Sequence, residues 1–106
     1  MSQNQGSASA QTDVGVGVET EQRRAPRYRV ILHNDDYTTF EFVLGVLQRI
    51  FCKTRPQAEE LTMKVHKEGR AAVGVYTRDI ARSLVARTQA EATKAGYPLK
   101  TTMEKD

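Results

Sequence analysis

The sequence predicts an α+β fold of order β-α-α-β-α-β: a three-stranded antiparallel sheet packed against three helices, with a disordered N-terminal tail. Three observations predict it. An alternating apolar run, Tyr28–His33, empties at once into a polar turn and then an apolar-periodic segment. Two helix-start signatures come in succession, Thr38-Thr39-Phe40-Glu41 and Thr54-Arg55-Pro56-Gln57. Gly69 then closes the second of these helices and Gly96 a third, each as a left-handed cap. Strands this few and this mixed do not build a doubly wound sheet. A small antiparallel sheet covered by helices on one face is the natural solution.

The 106 residues suffice for one domain, since a second would bury too little surface. Residues 1–25 contain no aromatic residue and no Leu or Ile, so they cannot bury enough apolar area to offset their ordering entropy. They are expected to be a disordered extension, and residues 26–106 the folded domain. The Val14–Val18 run is too short and too poor in basic residues for a signal peptide.

Within the domain, Tyr28, Val30 and Leu32 share one face of the first strand. In the first helix Phe40, Val43, Leu44, Leu47, Ile50 and Phe51 form an apolar stripe that ends near Cys52. Its expected cap is the Thr38 hydroxyl, with Glu41 reaching back. The second helix, capped by Thr54 and carrying Pro56 in its first turn, buries Ala58, Leu61 and Val65. Ala71–Tyr76 reads as a strand with Val73, Val75 and Tyr76 as its apolar members. Thr77 and Asp79 open a third helix bearing Ile80, Leu84, Val85 and Ala92. Pro98–Glu104 is the last strand, and its proline assigns it to an edge or to the strand's first position.

No apolar stretch approaches the ~20 residues of a membrane span. The single cysteine, Cys52, fits a reducing, cytoplasmic setting. The net charge of +3 raises a rival reading, a small basic nucleic-acid-binding module. Against it, the Lys and Arg residues are spread over three helices and their turns, with no aromatic-interleaved basic strand. No nucleophile elbow, phosphate-binding glycine loop or Cys-x-x-Cys is present, so the chain reads as no enzyme. His33, Asp35, Asp36 and His66 are the only candidate metal donors of note, and their spacing matches no metal site, so no metal or cofactor is expected.

The run Val30–Thr38 carries the most information. It sets one amide oxygen and two carboxylates (Asn34, Asp35, Asp36) at the end of an apolar strand. Acceptors at the mouth of an apolar slot suit a small cation attached to an apolar group, such as a protein N-terminus with a large first side chain. An ammonium has three donors and no acceptor. The Asn34 amide, the Asp36 carboxylate and a neutral His66 nitrogen would satisfy it. Asp35 reads as a turn residue, Thr38 as a cap, and Phe40, Val43 and Val65 as core residues able to line a slot.

The motifs Asn34-Asp35-Asp36-Tyr37-Thr38 with Glu41-Phe42-Val43, Val65-His66 with Gly69, Gly74-Val75-Tyr76-Thr77, and Pro98-Leu99 resemble the ClpS adaptors. The resemblance covers about Arg27 to Lys105. It implies three antiparallel strands under three helices, and an adaptor that binds destabilising N-terminal residues and delivers their bearers to the ClpA-type ATPase of the Clp protease. It also implies α-amino ligands at Asn34, Asp36 and His66, and a specificity pocket that includes Leu32, Asp35, Thr38, Val43, Val65 and Leu99. Two pocket positions depart from the family's usual methionines, Phe40 at the gate and Thr62 in the second helix. The Thr62 hydroxyl would tilt the choice toward Tyr, and Met63 would not replace the lost thioether, because one residue turns a helix by about 100°. For docking on the N-terminal domain of the ATPase the resemblance points to Asp79, with Leu84 where the family is basic, which admits a ClpC-type partner. Residues 1–25 match the family's variable extension.

Overall fold

In the computed structural model, which describes residues 25–106, strand β1 (Arg27–His33) lies between β2 (Arg70–Thr77) and β3 (Lys100–Lys105), antiparallel to both. Helices α1 (Phe40–Arg49) and α2 (Arg55–Glu68) fall between β1 and β2, and α3 (Arg78–Ala95) between β2 and β3. This is the expected β-α-α-β-α-β order. The disorder expected over 1–25 falls, Ala25 apart, outside the described residues.

The central strand buries three consecutive residues, Val30, Ile31 and Leu32. Tyr28, Val30 and Leu32 face the core, as their alternation requires. α3 packs across all three strands, while α2 packs on β2 and α1. Val43, Leu44, Val46 and Leu47 of α1, together with Leu99, fill the space between. Burial of a Leu- or Val-sized side chain contributes ~1.5–3 kcal/mol, so this cluster is what holds the helices to the sheet.

Four local expectations need correcting. The N-cap of α1 is Thr39, not Thr38: the Thr39 hydroxyl accepts from the Phe42 amide at 3.1 Å. Thr38 is occupied by Asp35, so the helix starts one residue later. In β2 the pairing slips between Val30 and Ile31, leaving Val73 as an extra, bulged residue. The bulge reverses the facing of the rest of the strand, so Tyr76 packs on the core while Val75 is exposed. Tyr76 then folds back over Gly74, where any Cβ would fall 2.6 Å from its phenol oxygen.

The third correction concerns α3, whose buried residues are Ala81, Thr88 and Ala92. Ile80, one position off that phase, is exposed, and Leu84 and Val85 pack only at its border. Thr77 caps by position alone, without a side-chain hydrogen bond. Fourth, the last strand begins at Lys100, and Pro98 precedes it. The second capping box forms as expected, with Thr54 accepting from the Gln57 amide and Gln57 accepting from the Thr54 amide.

Candidate functional site

β1 ends at His33 and the chain turns through residues 34–39 into α1. Two sets of bonds fix this turn. The Asn34 backbone N–H donates to the Gly69 carbonyl at 2.9 Å, leaving its side-chain amide free of this bond. Gly69 is the left-handed cap of α2, with φ +88°, so the turn is joined to the helix end that carries His66. Within the turn, the Asp35 carboxylate accepts from the Tyr37 amide (2.8 Å), the Thr38 amide (2.7 Å) and the Thr38 hydroxyl (2.7 Å). Burial raises the Asp35 carboxyl, but these three donors outweigh it and hold the group below the usual aspartate range.

Asp35 thus serves the backbone, while its neighbours Asn34 and Asp36 stay exposed. They border a cavity of about 520 Å³ between the turn, α1 and α2. His66 reaches the same cavity from the last turn of α2. Val43 and Val65, both buried, supply its apolar wall, with Thr38 and Phe40 beside the turn. The arrangement offers three polar acceptors beside an apolar recess.

Nine of the sequence-predicted residues are therefore brought to one place: Asn34, Asp35, Asp36, Thr38, Phe40, Val43, Thr62, Val65 and His66. Leu32 and Leu99 are not among the lining residues; they sit in the hydrophobic core, fully and almost fully buried. Asp79 is exposed in the first turn of α3, and Leu84 is half-buried against the core; neither touches the cavity. The buried Thr62 hydroxyl donates to the Ala58 carbonyl at 2.7 Å, so its proton is spent inside its own helix and is not presented to a ligand. Thr39 and Met63 also line the cavity and were not expected there. Thr39 is there because the cap is shifted. Met63 reaches the mouth because an unbranched side chain extends well beyond the stripe its Cα belongs to.

Just behind the site, His33 Nε2 shares a hydrogen bond with Thr102 Oγ1 at 2.8 Å. Burial, then Lys100 and Arg70 on the flanking strands, lower its pKa, against a smaller upward pull from Glu104. Among the described residues no group of three or more His, Cys, Asp or Glu is placed to hold a metal, and no helix is long and apolar enough to cross a membrane. Arg49, Arg55 and Arg70 are paired with Glu91, Glu59 and Glu104, which works against a free basic stripe for nucleic acid.

The family of ATP-dependent Clp protease adaptor protein ClpS matches residues 23–102. An ATP-dependent Clp protease adapter protein ClpS from Oleidesulfovibrio alaskensis is 44% identical over 96 residues, covering 91% of this chain and 92% of its own length. Its counterpart from Nautilia profundicola is 49% identical over 77 residues, 73% of this chain and 79% of its own. Among solved structures, Agrobacterium tumefaciens ClpS2 bound to L-phenylalaninamide superposes with a TM-score of 0.76 at 37% identity. The match covers 78% of this chain and all of that one.

Proposed function

The chain belongs to the ClpS family of Clp protease adaptors, and on that premise we propose that its cavity captures the N-terminal residue of a substrate protein. The ligand is a free α-ammonium bearing a bulky apolar side chain. Asn34, Asp36 and a neutral His66 each accept one ammonium N–H, and the side chain enters between Val43, Val65 and Thr62, past Phe40. Asp35 and Thr38 hold the turn in shape, and Leu32 and Leu99 support the recess from the core.

The observation that carries this reading is that three exposed acceptors and a buried apolar wall share one cavity. The solved relative supports it chemically. L-phenylalaninamide is a free ammonium with a benzyl side chain and an amide where the next residue would begin. Hydrogen bonds to a charged group contribute ~1.5–3 kcal/mol each, and burying one Leu- or Phe-sized side chain adds a similar amount. After association entropy, micromolar affinity is the expected scale.

The captured chain is then handed to the ClpA-type, or ClpC-type, ATPase of the Clp protease in the cytoplasm. The N-terminal domain of that ATPase docks on α3 around Asp79 and Leu84, and residues 1–25 act as the adaptor's extension. The adaptor itself catalyses nothing. Titrating a free N-terminal Phe peptide against its acetylated twin tests the capture step. Acetylation removes two donors and the charge while leaving the acceptors unpaired, so affinity falls about a hundredfold or more. Equal binding of the two peptides excludes the site.

A further inference from the structure

A cavity of about 520 Å³ is in the range of sites that take a drug-sized ligand, more than one amino-acid side chain fills. Part of its boundary is also unsuited to a first residue. Large hydrophobic side chains are mostly buried among the described residues, yet Phe40 is 40% exposed and Met63 39% exposed, and both line this one cavity. Val43, Thr62 and Val65, at 6%, 4% and 3%, form its deep end. The site thus grades from a buried apolar recess to an open apolar rim built from α1 and α2.

We propose that Met63 and Phe40 form a subsite for the side chain of the ligand's second residue, and that the protein favours an apolar residue there. The inference rests on the N-terminus-binding reading above. Once an ammonium is fixed by Asn34, Asp36 and His66, the second Cα lies about 3.8 Å from the first and cannot leave the rim. Met63 precedes His66 by three positions on α2, so the two side chains are neighbours on one helix face. A thioether chain adapts to residues of different shape, which suits a position that must accept many sequences. Covering two exposed apolar side chains with a third removes apolar surface from water on both partners.

The test uses the full chain and peptides that share a free N-terminal Phe and differ only at residue two, Leu against Ala against Gly. Leu binds about five- to tenfold more tightly than Gly, with Ala between. Met63→Ala, a favourable change for helix propensity, removes most of that preference, and Met63→Leu retains it. Tyr37→Ala is the control: this aromatic is 77% exposed on the same turn but outside the cavity lining, and its loss leaves the preference unchanged. The subsite is overturned if residue two has no effect, or if the preference survives Met63→Ala. If the Phe-Ala peptide fails to bind, or binds equally well when acetylated, the capture reading itself fails and takes the subsite with it.

Discussion

The backbone N–H of Asn34 donates to the carbonyl of Gly69 at 2.9 Å, so the turn residue proposed to bind the ammonium and the end of the helix bearing His66 share one hydrogen bond. The two elements belong to different parts of the chain, and their relative placement decides whether three acceptors converge. Gly69 can serve because its φ of +88° lies where side-chain-bearing residues are strained. A Cβ there would meet nothing within 4 Å, so the obstacle is conformational and not steric.

Gly69→Ala should therefore lower folding stability by ~1–2 kcal/mol, read as a shift in urea midpoint. It should also weaken binding of an N-terminal Phe peptide, because relief of the strain displaces the Gly69 carbonyl from Asn34. Gly69→Asn, whose side chain tolerates the left-handed region, should lose much less of both. Equal losses for Ala and Asn would show that strain at this cap is not what links the elements.

Asp35 supplies an acid-sensitivity prediction. Its folded pKa is depressed by the Thr38 and Tyr37 donors, so the unfolded chain holds the proton more tightly. The resulting stabilisation is present above the usual aspartate pKa of ~3.9 and is lost as pH falls through the lower, folded value. Asp35→Asn keeps one acceptor oxygen but cannot accept from the Thr38 hydroxyl through its amide nitrogen. The stability gap between wild type and Asp35→Asn should be widest near neutral pH and shrink below about pH 4. A gap independent of pH would mean that the charge on Asp35 plays no part in holding the turn.

The two histidines should separate by readout. The pKa of His33 is lowered chiefly by burial, then by Lys100 and Arg70, so the unfolded state binds its proton more readily. That contribution to stability is complete above the usual histidine pKa of ~6.5 and is lost as pH falls below it. Replacing His33 with Gln should reduce this acid loss of stability. Binding is a different matter, because His66 lines the cavity and His33 does not. His66→Ala should weaken binding of an N-terminal Phe peptide about tenfold or more, and His33→Gln should leave it unchanged. Loss of binding in His33→Gln with none in His66→Ala would assign His66 no acceptor role.

Much of this was legible in the sequence, for identifiable reasons. The strand Tyr28–His33, the Thr54 capping box and the glycine caps at 69 and 96 are local signals, and nothing in the tertiary structure competes with them. The start of α1 was misplaced by one residue because two groups compete for Thr38, and a charged acceptor at Asp35 prevails over a helix terminus. The exposure of Val75 depends on a bulge specified only by pairing with β1, which no pattern within β2 reveals. In the site, residue types indicated the acceptors, but lining depends on reach. Leu32 and Leu99 are apolar and near the turn, yet they are consumed by the core, while Met63 lies off the apolar stripe and still reaches the mouth.

The last prediction concerns the first residue of the ligand. Phe40 stands at the mouth as a rigid ring, and Val43 and Val65 leave a recess behind it. Leu, Phe and Tyr enter end-on because they branch beyond Cβ, whereas the second Cβ substituent of Val and Ile meets the ring. Thr62 deepens the recess, and although its proton is committed to the Ala58 carbonyl its oxygen can still accept from a phenol, so Tyr should bind at least as tightly as Phe. Peptides differing only at residue one should rank Leu, Phe and Tyr within a few-fold of one another, with Val and Ile at least about tenfold weaker, ~1.4 kcal/mol. Phe40→Ala should admit Val and Ile while weakening Leu, because truncation removes both the obstruction and part of the apolar wall. Isothermal titration across the series decides it. Val binding as tightly as Leu to the wild-type protein would mean that Phe40 guards nothing.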